Sequence, residues 1–234
     1  MAAIPPVTIA FLLFPNLTQL DLTGPAQVLS RLGNARIELV AKTRAPVPSD
    51  AGFALMPTAT FAEVASADVL CIPGGTGTSD AIEDDATLQW VRHVAARADW
   101  VTSVCTGALV LGAAGLLRGY RATTHWASHH LLAAFGAIPV AERVVFDRNR
   151  VTGGGVTAGI DFALALTAAI RGEEHARMVQ LGLEYDPAPP FDAGSPERAG
   201  AALVERYRTL AAASTADRDA RMARAAARLG ITAV

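Results

Sequence analysis

The spacing of apolar and polar positions divides the chain into short buried strands separated by longer amphipathic stretches. Val7–Phe14 is apolar apart from Thr8 and stops at Pro15-Asn16, which predicts a fully buried strand. Arg36–Ala41, Asp68–Pro73 and Trp100–Val104 are of the same kind, short and rich in aliphatic or β-branched residues. Between them, a loop leads through Gln19–Pro25 into a helix ending at Leu32, and helical patterns recur over Asp85–Ala98, Ala108–Leu117, Ser128–Phe135, Val156–Ile170 and the tail beyond Pro196. Ala54–Pro57 predicts a short strand beyond the Pro-rich turn Ala45–Pro48. Arg121–Trp126 predicts another, running into the next helix, and Glu142–Asp147 with Val151–Thr152 predicts a hairpin around Arg148-Asn149-Arg150. Strands alternating with helices imply an α/β sandwich with a mostly parallel sheet covered on both faces. In such sheets ligands bind at the carboxyl ends of the strands.

Composition narrows this picture. A chain of 234 residues that is 51% hydrophobic suffices for one core, so a single domain over 1–234 is expected, with about 197–234 a helical extension of it. The net charge of −2 gives no electrostatic reason to bind nucleic acid or an anionic membrane, and leaves small neutral molecules as the natural ligands. No basic residue precedes the Ile9–Phe14 run, which therefore reads as a strand and not as a signal peptide. No apolar run has the continuity of a membrane span. Two cysteines, Cys71 and Cys105, both in apolar strand-like settings, suit a reducing compartment and a cytoplasmic protein. Arg218, Arg221, Arg224 and Arg228 share one face of the tail helix. With Asp217 and Asp219 beside them and Ala, Leu and Met opposite, they predict a solvated face. Pro187, Pro189 and Pro190 make Ala188–Phe191 an extended excursion over the surface or onto a partner.

Candidate chemistry centres on Cys105. It occupies the corner between the Trp100–Val104 strand and the Ala108–Leu117 helix, with the small residues Thr106 and Gly107 that a sharp nucleophile elbow needs. The positive end of the following helix would favour thiolate there; the plainer alternative is a buried, inert cysteine. Asp21 lies near the carboxyl end of the first strand, as a site carboxylate or as a helix cap. Gly74-Gly75-Thr76-Gly77 ends the Asp68–Pro73 strand. It lacks both the lysine of a phosphate loop and the position of a dinucleotide loop, and reads as an oxyanion cradle of Gly74 and Gly75 donors or as a plain turn. Gly153-Gly154-Gly155 removes every side chain at the entrance to another helix, where the backbone can approach a site or merely bend. His125 and His129 have helical ligand spacing but no third ligand, so no metal is expected; His125 reads as a structural histidine or as a base partner for Cys105.

The elbow Val101–Gly107, the Pro73-Gly74-Gly75 turn and the acid after the first strand resemble the ThiJ/PfpI superfamily, of glutamine-amidotransferase-like, flavodoxin-type fold. Within it, several segments together resemble the isocyanide hydratases: Phe11–Pro15, Gln19–Pro25, Cys71–Gly77, Ala122–Trp126, Thr152–Gly155, Gly159–Phe162 and Leu183–Phe191. Thr106 stands where the superfamily's peptidases place histidine, and too few residues follow Pro196 for the DNA-binding domain of its regulators. The resemblance implies hydration of an isocyanide to an N-substituted formamide through a Cys105 thioimidate, with Asp21 as acid/base. Thr106 would join them as a catalytic residue that hydrogen-bonds this assembly or positions the water, and Gly74, Gly75, Thr76, Gly154 and His125 would bind the oxyanion or the substrate. It implies a homodimer and no metal, nucleotide or organic cofactor. A sensor with an oxidisable Cys105, and another cysteine-dependent hydratase or glyoxalase, remain as alternatives.

Overall fold

The computed structural model describes residues 4–230 of the chain. Its centre is a seven-stranded sheet of β1 (Val7–Leu12), β2 (Ala35–Ala41), β3 (Ala59–Thr60), β4 (Val69–Ile72), β5 (Trp100–Val104), β6 (Val144–Asp147) and β7 (Arg150–Gly153), in the order β6-β7-β5-β4-β1-β2-β3. All neighbours run parallel except β6, which returns against β7 as the expected hairpin. The helices are α1 (Gln19–Leu29), α2 (Thr78–Ala81), α3 (Asp85–Ala95), α4 (Gly107–Ala113), α5 (Ala158–Arg171), α6 (Glu173–Gly182), α7 (Pro196–Ala199) and α8 (Ala201–Arg228), with a 3-10 helix over Trp126–Phe135. α1, α5 and α6 pack together; α4 packs with α2, α3, α8 and the 3-10 helix.

The sheet forms because β1, β4 and β5 are buried on both sides. Ile9, Phe11, Leu70, Ile72 and Val101 have no exposed surface, and each such side chain contributes roughly 1.5–3 kcal/mol on leaving water. Strand pairing also aligns the carboxyl ends: Phe11 stands opposite Cys71, Ile72 opposite Ser103, and Val104 opposite Gly153. The segments that follow β1, β4, β5 and β7 therefore meet at one edge.

Four expectations need correction. α1 begins at Gln19, so Asp21 lies in its first turn and Pro25 lies inside it; Gly159 of α5 lets the Pro25 ring approach closely. Ala54–Leu55 does not join the sheet. It pairs with Val47–Pro48 in a small ribbon, an edge position that proline tolerates, and Ala59–Thr60 is the edge strand instead. α4 ends at Ala113, and Gly115, with φ of +78°, carries the chain away from it. The arginine face of α8 is docked at Arg218 and Arg221, while Arg224 and Arg228 are exposed as expected. Arg218 donates to Ser128 Oγ at 2.8 Å and to the Ala127 carbonyl at 3.2 Å. Arg221 pairs with Asp80 at 2.6 Å and Glu83 at 2.7 Å, its side chain only 19% exposed. Acidic partners far away in sequence hold this face, and Met222, Ala225 and Ala226 are buried with it.

Candidate active site

Cys105 follows β5 directly with φ of +56°. A side chain other than glycine pays roughly 1–3 kcal/mol to sit in this left-handed region, so the surroundings must hold it there. They do so from both sides. Cys105 N–H donates to the Gly153 and Gly154 carbonyls at 3.1 and 2.8 Å, and the Cys105 carbonyl accepts from the buried Thr124 hydroxyl at 2.7 Å. A Cβ on Gly107 would collide with the Ile72 carbonyl, which is why the elbow needs glycine there.

Asp21 is fully buried against this elbow. Its Oδ2 accepts from Gly74 N–H at 2.8 Å, whereas Oδ1 is buried with no hydrogen-bond partner. It does not cap α1; Thr18 is the cap residue, and Asp21 points across to the turn after β4. Burial raises the Asp21 pKa to about 7, against the opposing pull of the Gly74 N–H and of the neighbouring Cys105 thiol. Burial, reinforced by the nearby Asp21 charge, also pushes the Cys105 thiol well up, opposed by the Thr106 N–H and hydroxyl. The expectation of a thiolate favoured by the helix end is thereby corrected. α4 has only seven residues, and burial keeps the thiol protonated. Near neutral pH the two groups are best described as a pair that shares a proton.

The turn after β4 serves the pair differently from an open oxyanion cradle. Gly74 N–H is committed to Asp21, and Gly75 N–H donates to Thr106 Oγ1 at 3.0 Å. Both expected donors thus position side chains. A Cβ on Gly74 would stand 2.5 Å from Thr106 N and 2.9 Å from Asp21 Oδ2. Thr76 is exposed and turned away, its hydroxyl reaching only the Asn16 carbonyl at 3.4 Å. Thr106 lies between turn and elbow, its hydroxyl also 2.9 Å from that of buried Thr78.

His125 makes no hydrogen bond to Cys105 among the described residues. Its Nδ1 accepts from Ala127 N–H at 3.3 Å, capping the 3-10 helix, and burial lowers its pKa, which keeps the ring neutral. His125 also lies against Gly155, and with Thr124, Trp126, Arg143, Gly154 and Val156 it lines a cavity of about 620 Å³ above the elbow's backbone partners. His129 lines it too, with Nε2 buried and unpartnered. Among the described residues, no three His, Cys, Asp or Glu side chains are grouped as metal ligands.

The DJ-1/PfpI family model matches residues 7–169, the whole sheet and the elbow included. The chain belongs to the DJ-1/PfpI family. It is 55% identical over 223 residues to a Pseudomonas putida protein named isonitrile hydratase, covering 95% of this chain and 98% of that one. A crystal structure of a ThiJ/PfpI family protein from Pseudomonas syringae superposes with a TM-score of 0.91 at 48% identity, covering 94% and 92% of the two chains. A DJ-1 superfamily protein from Salmonella typhimurium, crystallised as a cysteine-to-alanine mutant, is 26% identical with a TM-score of 0.69, covering 77% of this chain and all of its own.

Relative to the DJ-1/PfpI core, this chain continues past residue 169 into α6, α7 and α8. Two contributors to the site are absent from the sequence-based expectations. Thr78 sits in a turn too short to show periodicity, and Thr124 differs from its neighbours only in the direction of one hydroxyl. Their signal is weak: hydroxyl residues in otherwise apolar, buried segments next to a glycine turn and a candidate histidine.

Proposed function

We propose that this DJ-1/PfpI family member is an isonitrile hydratase that converts R–N≡C and water to the N-substituted formamide. The observation that carries the reading is the buried, unpartnered Oδ1 of Asp21 beside a thiol held on a left-handed elbow. The nearly full-length similarity to the Pseudomonas putida isonitrile hydratase supplies the substrate class. An isonitrile is electrophilic at its terminal carbon, where it also has to accept a proton. Asp21 takes the Cys105 proton as sulfur attacks that carbon and delivers it to the same carbon, giving the thioimidate Cys105–S–CH=N–R. Water then adds to this carbon while Asp21 takes one of its protons and passes it to nitrogen. Collapse of the adduct breaks the C–S bond, the hydroxyl proton returns to sulfur through Asp21, and R–NH–CHO leaves. Thr106, fixed by Gly75 and Thr78, orients the pair. No step calls for a metal or cofactor.

The docking of α8 through Arg218 and Arg221 supports one domain over the chain, with the C-terminal helix an extension of it. Two free, buried cysteines suit the cytoplasm, and no helix among the described residues is long and apolar enough to cross a membrane. A homodimer is supported by the exposed apolar stripe Leu203, Tyr207 and Leu210 on α8, too regular for a face that stays in water. The test is direct: purified protein with an aryl isonitrile, followed for the formamide. Formation of the formamide is expected, and its absence at high enzyme concentration contradicts the reading.

A further inference from the structure

We infer that the C-terminal extension makes this protein a hydratase for isonitriles with a bulky aromatic R group, by walling the cavity above the elbow. This rests on the hydratase reading and specifies its substrate. The reacting pair is almost sealed: Asp21 has no exposed surface and Cys105 is 6% exposed. Only the slender, linear –N≡C end of a substrate can reach the sulfur, so whatever R is, it must be held outside. The adjoining cavity, of about 620 Å³, falls in the range that holds drug-sized ligands. It meets the elbow through Thr124 and Gly154, lining residues whose hydroxyl and carbonyl hold the Cys105 backbone.

Part of its wall comes from outside the family core. Ser195, Glu197 and Arg208 line the cavity, and all lie beyond residue 169, where the family model ends. An aromatic stack fixes that wall: the Tyr207 ring of α8 packs on Trp126, centroids 5.2 Å apart, and Trp126 packs on His125 at 5.8 Å. Trp126 and neutral His125 present flat apolar surface to an R group. The unpartnered His129 Nε2 offers a hydrogen bond to a polar substituent on the ring. The charges at the mouth, Arg143 and Arg208 against Glu142 and Glu197, balance in sign and give no preference for a charged R group.

The test compares kcat/KM for 2-naphthyl isocyanide and ethyl isocyanide in wild type, Trp126→Ala, Trp126→Phe and the double variant Tyr207→Ala/Arg208→Ala, with melting curves to establish folding. The naphthyl-to-ethyl ratio is expected to fall about tenfold or more in Trp126→Ala and in the double variant, the scale of a lost pocket contact, and to recover in Trp126→Phe. A ratio within twofold of wild type in both would overturn the inference. A second arm is independent of turnover: calorimetric binding of N-(2-naphthyl)formamide to Cys105→Ala, with and without the Tyr207→Ala/Arg208→Ala pair. Weaker binding by about tenfold on removing the wall supports the cavity assignment, and unchanged or undetectable binding overturns it. If wild type hydrates neither isonitrile yet the wall governs formamide binding, the hydratase reading fails and the cavity assignment stands.

Discussion

The edge of the sheet around Cys105 and the docked C-terminal helix obey different rules. At the edge, Gly74, Gly75, Cys105, Thr106 and Gly107 sit within a few positions of a strand end, and the glycines follow from the close approaches their turns require. The sharp corner between β5 and α4 forces Gly107 and holds Cys105 in a left-handed conformation, and the close approach of Asp21 and Thr106 forces Gly74. α8 is held by Arg218 and Arg221, whose partners lie across the fold at Ser128, Asp80 and Glu83. Local geometry constrains the first region almost residue by residue. The second depends on where a long helix happens to be laid down, and its arginines look the same in sequence whether solvated or docked.

The sharpest way to break that comparison is at the elbow. Cys105→Ala is expected to leave the fold intact and remove formamide formation to background, read by chromatography of the product; turnover near the wild-type rate ends the covalent scheme. Gly74→Ala comes next. Its Cβ would stand 2.5 Å from both Thr106 N and Thr106 Oγ1, so the backbone must shift. A loss of turnover on the order of 10²-fold, with a lower melting temperature, is expected. If the variant retains full activity, the turn is not the tight positioning device described. On α8, Arg221→Ala removes three ion pairs, to Asp80, Glu83 and Asp217, at a partly exposed site. It should cost about 1 kcal/mol, or roughly 2–4 °C in a domain of this size, with kcat unchanged. A marked fall in kcat would show that α8 is coupled to the elbow. Cys71→Ala is the smallest. Burial pushes the Cys71 thiol up to about 12 and keeps it protonated, so a cost near 1 kcal/mol from lost packing and turnover within about twofold are expected from melts and rates.

How much of this is legible in the sequence follows the same division. Trp100–Val104 is a strand with the bounds its β-branched alternation gives, and the hairpin around Arg148-Asn149-Arg150 forms as its turn residues dictate. The edge strand Ala59–Thr60 is invisible there because two residues carry no periodicity. The site's membership is partly legible: Cys105, Asp21, Thr106, Gly74 and Gly75 come together. The direction of their hydrogen bonds is not. Gly74 and Gly75 N–H groups hold Asp21 and Thr106, and Thr76 turns away, because a backbone donor aims according to three-dimensional context. The protonation of Cys105 escapes sequence for the same reason. A helix end is visible in sequence, but the depth of burial that pushes the thiol up is a property of the whole fold.

The central claim is that Asp21 and Cys105 work as one proton-sharing pair, and the pH dependence of kcat/KM tests it most directly. Asp21 titrates at about 7 because burial disfavours its carboxylate. Below that pH both groups carry protons, and Asp21 cannot accept the one that Cys105 must lose on attack. kcat/KM for an isonitrile should therefore rise with pH through about 7 to a plateau. Asp21→Asn should remain folded, lose on the order of 10²-fold or more in turnover, and lose the rise. A wild-type profile flat across that range, or an Asp21→Asn variant with near wild-type turnover, would contradict the account.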